Sequence, residues 1–280
     1  MNKIKRWFIF PYMFALIISF GHAIYTLING QGNLAWWSVI LSSGAMIGFF
    51  AYLGLSSVSA TSRQLPLQLF AIAAAVVMAL LDFDLLPSLY TLFIGGLASL
   101  LYILWYSSLS RPASDKLAVG GALPSFEFVD DKGQLIRNQD LLGAPVIYLF
   151  YRGAWCPLCV AQIKDLCMQY QELHDMGIKT VLISPQSQDD TRGLAKKFNV
   201  PFIFGFDKDL NAANALGIVH CDGSPLGLGS AAGADTVLPT VIITDAAGKI
   251  LWTHQTDNYR IRPEPSLFLS ILRDHQHQII

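Results

Sequence analysis

The chain has 280 residues, of which 53% are apolar and 14% are charged, and its formal net charge at pH 7 is −1. Soluble globular proteins carry about a quarter charged residues, so this composition excludes a wholly soluble chain, and the near-neutral balance predicts no nucleic-acid partner. The charges are also unevenly distributed. From Trp7 to Ser110 they are limited to Arg63, Asp82 and Asp84, which predicts a membrane region at residues 1–110 followed by a water-soluble region.

Four apolar stretches of the membrane region have about the 20 residues that a helix needs to cross a bilayer. The run behind Lys3, Lys5 and Arg6 also resembles a signal peptide, but three further apolar runs follow it, so we predict a retained anchor. The third stretch is the shortest. The sequence therefore predicts four transmembrane helices, at Trp7–Ile28, Leu34–Leu55, Leu65–Leu81 and Leu85–Trp105.

The basic residues that flank these stretches predict their orientation, because flanking Lys and Arg stay on the cytoplasmic side of a membrane. If all four stretches cross the bilayer, every one of these basic residues falls on the same side of it. We therefore expect both termini, and the carboxy-terminal domain, in the cytoplasm. They are Lys3, Lys5 and Arg6 before the first stretch, Arg63 between the second and third, and Arg111 and Lys116 after the fourth.

The membrane region contains no cysteine, so it is predicted to be an anchor and not a thiol relay, which needs a thiolate at each exchange step. Gly44 and Gly48 form a small-xxx-small pair on the second stretch. Such pairs let two helix backbones approach closely. The approach is either between helices of one chain or along the seam of a homodimer, and both interpretations stay open.

Residues 111–120 are small, polar and punctuated by Gly and Pro, which predicts a linker before a domain at residues 121–280. Strands alternate with helices along that domain and end in a hairpin, which predicts an α/β sheet layered between helices. In chain order the elements are SFEFVD, a DKG turn, the buried strand PVIYLFY, a helix from Pro157 to about Met176, the strand KTVLIS, a helix over SQDDTRGLAKKFN, the extended VPFIF, a helix over DLNAANALG, a glycine-rich loop, the hairpin PTVIITDAAGKILWTH, and a helix from about Glu264 to Asp274.

Two cysteines lie where PVIYLFY gives way to the first helix, in the stretch YRGAWCPLC. Pro157 suits the first helical position, which places Cys156 at the helix N-cap, where the helix dipole and Arg152 favour a thiolate. Cys156 is expected to be the exposed, low-pKa thiol of the pair, and Cys159, one turn later, to be the more buried partner. The spacing predicts a redox dithiol in which Cys156 attacks and Cys159 resolves a mixed disulfide.

Other uses of these cysteines are a structural disulfide, a zinc site and simple packing. A reducing cytoplasm disfavours the first, and zinc needs two further ligands, for which His220 and Cys221 form the only adjacent pair. We therefore predict no metal and no cofactor. Cys167 lies on the apolar side of its helix and is predicted to be a core residue, whereas Cys221, in a long glycine-rich loop, is a possible third redox thiol.

The motifs LPSFEFVDDKGQLI, FYRGAWCPLC, ISPQS, DLNAANALG and DNYRIRPEPS follow one another in this order along the chain. Together they resemble the peroxiredoxin-like branch of the alkyl hydroperoxide reductase and thiol-specific antioxidant (AhpC/TSA) group, within the thioredoxin superfamily. The resemblance covers Gly121 to about Leu272. It implies a thioredoxin fold in which Trp155 belongs to the dithiol motif and Pro239 forms a cis peptide facing it.

The sequence departs from typical peroxiredoxins at two positions, where a Thr or Ser and a Pro orient the peroxide. Gly153 and Leu149 occupy them here. We therefore predict a membrane-anchored thiol-disulfide oxidoreductase that acts on a disulfide-bearing protein or on a small thiol such as glutathione, with a thioredoxin-type electron donor possible. The alternatives are a thiol peroxidase with the same two cysteines, expected to be slow without the hydroxyl, and a dithiol redox sensor that regulates a membrane partner.

Overall fold

A computed structural model of the chain describes residues 2–55, 65–229, 233–263 and 265–274. These residues divide into two compact units, one between Trp7 and Ser108 and the other formed mainly from Leu109 onward. Arg63, which contributes to the predicted orientation, and Glu264, the predicted start of the last helix, lie outside the described residues.

The first unit is a bundle of apolar helices. Among the described residues three of them are long and apolar enough to cross a membrane, whereas α3 has 17 residues. At 1.5 Å per residue α3 is about 26 Å long, short of the roughly 30 Å hydrocarbon core. Length alone therefore supports three of the four predicted crossings. The helices are α1 (Asn2–Ile28), α2 (Leu34–Leu55), α3 (Leu65–Leu81) and α4 (Leu85–Tyr106), the last with π-type turns over Tyr90–Ala98 and Leu101–Tyr106.

Small and hydroxyl side chains hold the bundle together. A Cβ at Gly44 would lie 2.9 Å from Cε2 of Phe20, so this glycine lets α1 and α2 pack closely within one chain. The Ser38 hydroxyl lies 2.6 Å from that of Thr91 and joins α2 to α4. A Cβ at Gly48 would have nothing within 4 Å. Gly44 thus serves packing inside the chain, and the homodimer stays a prediction.

The second unit is an α/β domain built on one seven-stranded sheet in the order β2-β1-β5-β4-β3-β8-β9. Strands β3, β4 and β5 are parallel, and the remaining neighbours are antiparallel. The strands are β1 (Glu127–Asp130), β2 (Leu135–Arg137), β3 (Val146–Phe150), β4 (Lys179–Ser184), β5 (Ile203–Phe206), β8 (Thr240–Thr244) and β9 (Ile250–Gln255), with β6 (Val219–His220) and β7 (Thr236–Val237) in a separate ribbon.

Helices connect the parallel strands, and a last helix follows the hairpin β8-β9. A βαβ unit followed by a ββα unit is the thioredoxin-like arrangement that the resemblance implies, so the predicted α/β fold is confirmed. The helices are α5 (Pro157–Met168), α6 (Tyr170–Asp175), α7 (Gln188–Phe198), α8 (Asn211–Leu216) and α9 (Pro265–Asp274), with 3-10 turns at Asp115–Leu117, Asn138–Leu141 and Lys208–Leu210.

Strand β3 lies in the middle of the sheet, and all five of its residues are buried. Its neighbours are β4 on one side and β8 on the other, and Phe150 pairs with Ile183 and with Thr240. An apolar run of this length is typical of a strand buried on both faces. The dithiol loop leaves the carboxyl end of β3, where ligand and catalytic groups collect in open α/β sheets.

Two predicted boundaries differ from the structure. The single helix expected from Pro157 to Met176 is two helices, because Gln169 adopts φ −100° and ψ 7° and ends the first one. The segment 111–120, predicted as a linker, packs on the α/β unit. Leu117 is fully buried, and the Ser114 hydroxyl donates to the Leu216 carbonyl at 2.7 Å.

Candidate dithiol active site

The two cysteines lie where the sequence predicts them. Cys156 is the N-cap of α5 in an extended conformation, Pro157 is the first helical residue, and the two sulfurs are 2.9 Å apart as free thiols. Cys156 is 3% exposed and Cys159 is 1% exposed, so the expectation that Cys156 is the exposed thiol was wrong. Residues distant in sequence pack against the pair, and Nη2 of Arg262 lies 4.0 Å from the Cys159 sulfur.

The surroundings of the pair shift the pKa values of the two thiols in opposite directions. A hydrogen bond from the Cys159 thiol lowers the pKa of Cys156 to about 6; burial opposes this shift, and the charges of Arg152 and Arg262 reinforce it. The pKa of Cys159 is raised by its burial and then by its hydrogen bond to Cys156. At neutral pH the site therefore holds a Cys156 thiolate beside a protonated Cys159, which is the division of roles that the sequence predicts.

Gln186 holds the loop that carries the dithiol. Its amide nitrogen donates to the Tyr151 hydroxyl at 3.1 Å, and its carbonyl oxygen accepts from the Ala154 backbone N–H at 2.7 Å. Gln186 is 3% exposed and lies in the ISPQS motif after β4. Because a buried amide that is bonded at both its nitrogen and its oxygen has little freedom, Gln186 fixes the start of α5 relative to β3 and β4. The ISPQS motif contributes to the family resemblance, but no local pattern in the sequence indicates this role of Gln186.

The Arg152 side chain packs against the Trp155 ring beside the dithiol. The Arg152 guanidinium lies 4.8 Å from the centre of the Trp155 ring and 5.8 Å from that of Tyr259. Its Nη2 also donates to the Gly223 carbonyl in the loop after β6. Arg152 is 5% exposed, so these contacts hold a cation inside the domain beside the dithiol.

Gly153 has a structural reason for departing from the peroxiredoxin pattern. Its φ is +148°, and a Cβ there would lie 2.6 Å from Nε1 of Trp155. A hydroxyl-bearing side chain has no room at this position. Leu149, the second departure, is 1% exposed inside β3 and pairs with Leu182 and Val241 as part of the core.

Arg262 is the site residue that the sequence analysis missed. It is 4% exposed, and its charge acts on both cysteines and on Arg152. The available signal is its place in the motif DNYRIRPEPS, which contributes to the family resemblance but has no helical or strand periodicity that assigns Arg262 a role. No local spacing connects it with Cys159, 103 positions earlier in the chain.

The structure gives different outcomes for the predictions made for Pro239, Cys167 and Cys221. The Leu238–Pro239 peptide is trans, so the implied cis bond was wrong; trans is the lower-energy isomer of an X–Pro bond by about 0.5–1 kcal/mol. Cys167 is half-buried, so it is less enclosed than the predicted core residue, and its burial raises its pKa to about 12, which leaves the thiol unreactive at neutral pH. Cys221 is exposed whereas Cys156 and Cys159 are buried, and its redox role stays a prediction.

The lowered pKa of Cys156 predicts a distinctive pH profile. Above pH 6 the thiol is a thiolate, and its reactivity falls as the pH drops through about 6, whereas a free thiol loses reactivity below about 8.5. The rate of alkylation by iodoacetamide, followed residue by residue with mass spectrometry, measures this midpoint. Replacing Cys159 by Ala removes the largest lowering cause and is expected to move the midpoint upward. A midpoint near 8.5 in the unaltered protein contradicts the assignment.

The sequence of the α/β unit is similar to that of known proteins. Residues 119–253 match the AhpC/TSA family. Peroxiredoxin Bcp of Escherichia coli K12 is 25% identical over 159 residues, which are 57% of this chain and 97% of that protein. Chloroplastic peroxiredoxin Q of Populus jackii is 30% identical over 104 residues, which are 34% of this chain and about half, 49%, of that protein. The family match and these two relatives confirm the resemblance predicted for this unit.

A solved structure with a similar chain path is peroxidoxin BcpB from Mycobacterium tuberculosis. It has a TM-score of 0.47 and 21% sequence identity, and the match covers 56% of this chain and 97% of that one.

Proposed function

The α/β unit carries the AhpC/TSA match, and on that premise we propose that it is a thiol peroxidase in which Cys156 is oxidised and Cys159 resolves the product. The Cys156 thiolate attacks the terminal oxygen of a hydroperoxide, so that an S–O bond forms, the O–O bond breaks, and the alkoxide leaves with a proton as an alcohol. The Cys156 sulfenic acid is then attacked by Cys159, with loss of water and formation of a disulfide. A small dithiol donor returns the pair to the reduced state.

The burial of both sulfurs is the observation that carries this proposal. A hydroperoxide is small enough to reach a sulfur that is 3% exposed, whereas a disulfide in another protein brings its flanking backbone with it. The two free thiols are 2.9 Å apart, so little movement separates them from the length of about 2.05 Å of a disulfide bond. A buried pair of this kind favours a small oxidant over direct exchange with a large protein substrate.

Guanidinium groups take the place of the missing hydroxyl in this proposal. Peroxide reduction needs hydrogen-bond donors aimed at the oxygen on which negative charge develops. Gly153 offers no side chain, but Arg152 and Arg262 both act on Cys156 electrostatically, and each guanidinium carries five N–H donors. The arginines therefore supply the hydrogen-bond donors that Gly153 lacks.

Thiol-disulfide exchange is the second candidate and the main prediction from the sequence. The observation that favours it is Gly153, since a site without the expected hydroxyl lacks one contact that a peroxide makes at the transition state. Because Cys156 is buried, the substrate class expected for exchange is a small disulfide such as oxidised glutathione. The third candidate is the redox sensor that the sequence left as an alternative. In a sensor the same dithiol is oxidised without catalytic turnover.

Stopped-flow oxidation of the reduced full-length protein separates the three functions. We expect hydrogen peroxide or tert-butyl hydroperoxide to oxidise Cys156 at least about a hundredfold faster than it oxidises a free thiolate, because the positioned donors stabilise the transition state. Oxidised glutathione and insulin are the comparison substrates, each with dithiothreitol as the donor. Faster turnover of either disulfide than of peroxide overturns the peroxidase, and single oxidation without turnover indicates a sensor.

The location of the domain is also a proposal, and it depends on α3. We propose that α3 crosses the bilayer despite its length, so that four crossings place the domain in the cytoplasm. The shortfall of about 4 Å is of the size that local thinning of a bilayer accommodates at a fraction of a kcal/mol per Å. With three crossings the domain would lie on the opposite face.

Cys221 provides a test of this location because it is exposed. We expect a membrane-impermeant maleimide to leave Cys221 unlabelled in intact cells and to label it after permeabilisation. A Cys221→Ser variant is the control for labelling elsewhere in the chain. Labelling of Cys221 in intact cells would place the domain outside the cytoplasm and leave α3 on one side of the membrane.

A further inference from the structure

A cavity of about 300 Å³ lies between α6 and the first residues of β4 and β5, and we refer to it as the α6 cavity. It is separate from the dithiol site. Thr180 lines it near the start of β4, whereas Ser184 ends that strand, two positions before Gln186. At about 3.3 Å per residue, roughly 13 Å of strand separate Thr180 from Ser184. The lining includes Tyr170, Leu173, His174, Ile178, Thr180 and Phe202.

The α6 cavity exists because α6 is short and the chain turns sharply at its end. Gly177 has φ +70°, a left-handed conformation, and the Ile178 backbone N–H donates back to the Leu173 carbonyl at 3.0 Å. This pattern ends a helix and turns the chain away from the helix axis. Strand β4 begins at Lys179, so a space remains between the last turn of α6 and the start of the sheet.

Aromatic rings form one wall of the α6 cavity. The centre of the Tyr170 ring lies 6.4 Å from that of Phe202 and 6.1 Å from that of His174, at interplanar angles of 75° and 62°. Tyr170 and Phe202 are half-buried, so the protein leaves part of each side chain uncovered. Aromatic rings attract a further ring in stacked or edge-to-face contact. The wall therefore favours a planar aromatic ligand.

The buried floor of the α6 cavity carries a polar group that lacks a partner. Thr180 is 3% exposed, and its hydroxyl has no hydrogen-bond partner among the described residues. Leu173 and Ile178, the other buried residues of the lining, have apolar side chains and cannot bond to it. A buried hydroxyl without a partner costs free energy, and a ligand that supplies a hydrogen bond removes that cost.

The α6 cavity is open to solvent at its rim. His174, Gly177 and Pro201 belong to the lining and are exposed, so a small molecule can enter from solution. The lining residues, all of them described, include no carboxylate, and Lys179 adds a positive charge whose ammonium donates to the Leu141 carbonyl at 3.1 Å. A cationic ligand is therefore disfavoured. The group that lacks a partner is a neutral hydroxyl, which favours a neutral ligand.

We propose that the α6 cavity binds a neutral aromatic molecule with a hydrogen-bonding group, such as a phenol. Its ring packs against Tyr170 and Phe202, and its polar group bonds to the Thr180 hydroxyl, which both donates and accepts, as a phenol does. A volume of about 300 Å³ is at the small end of the range for ligand sites and suits one or two rings. This binding site is additional to the proposed redox activity, and binding there includes no covalent step.

Two fluorinated probes of nearly the same shape test the site in the reduced full-length protein, held in lipid nanodiscs. Para-fluorophenol has the hydrogen-bonding group and fluorobenzene lacks it. Fluorine NMR titration, corrected with empty nanodiscs, measures both affinities. We expect the ratio of the two affinities to be about five- to tenfold higher in the original protein than in Thr180→Val, which is the contribution of one hydrogen bond to a buried group. Thr180→Ser is expected to keep the higher ratio.

Thr191→Val is the matched control, because Thr191 is also buried but its hydroxyl donates to the Ser187 carbonyl at 3.0 Å. It is expected to leave both probe affinities unchanged and to lower the midpoint of thermal unfolding by about 2–4 °C. Thr180→Val removes a hydroxyl that has no partner and keeps the shape of the side chain, so it is expected not to lower this midpoint.

Equal affinity ratios in the original protein and in Thr180→Val, or no saturable binding of either probe, overturn the site. A midpoint that falls as far in Thr180→Val as in Thr191→Val also overturns it, because the hydroxyl then already has a partner such as a bound water. Tighter binding of para-fluorobenzoate than of para-fluorophenol overturns the neutral ligand class. No peroxide enters these measurements, so their result is independent of the proposed function.

Discussion

Replacement of Cys156 by Ser is expected to abolish peroxide consumption, with a loss of at least about a thousandfold. A serine hydroxyl is not ionised near neutral pH, so the attacking anion disappears, although the side chain is nearly the same size. Cys159→Ser is expected to permit one oxidation of Cys156 and then to stop, because no second thiol displaces water from the sulfenic acid. Peroxide consumption with dithiothreitol, together with trapping of the sulfenic acid by dimedone, measures both results.

Cys221→Ser completes this series. Cys221 is exposed and the catalytic pair is buried, so turnover is expected to be unchanged. Loss of turnover in Cys221→Ser would identify it as the third redox thiol that its loop position suggests. Full turnover in Cys159→Ser would instead show that a donor in solution resolves the sulfenic acid, and the two-cysteine mechanism would be wrong.

Substitution of Thr for Gly153, which restores the hydroxyl of typical peroxiredoxins, is expected to destabilise the domain by about 2–6 kcal/mol and not to raise its peroxidase rate. The backbone at Gly153 has φ +148°, where a side chain is strained, and a Cβ there would lie 2.6 Å from Nε1 of Trp155. Strain and overpacking each cost about 1–3 kcal/mol. Denaturant unfolding of the full-length protein measures the loss.

Gly133→Thr is the matched control, because Gly133 has φ +89° but nothing within 4 Å of a Cβ. It carries the backbone strain without the collision, so its destabilisation is expected to be smaller. Equal losses in the two variants would mean that Trp155 moves aside easily. A Gly153→Thr protein that unfolds normally and reduces peroxide faster than the original would show that the missing hydroxyl, and not the arginines, limits the reaction.

The local patterns in the sequence were sufficient for the frame of the site. The apolar run PVIYLFY predicts β3, whose five residues are all buried, and Pro157 predicts the start of α5 with Cys156 at its N-cap. These features depend on neighbours within a few positions, where side-chain periodicity and the missing N–H of proline act directly. The AhpC/TSA resemblance followed from the same short motifs.

The charge and burial of the site depend on contacts that no local pattern contains. Arg262 approaches Cys159 from 103 positions away, a separation that no local spacing covers. Burial of Cys156, which turned the expectation of an exposed thiol into a case for a small oxidant, comes from the same long-range packing. A sequence pattern reports which groups a residue can offer; the dielectric and the charges around it are properties of the assembled domain.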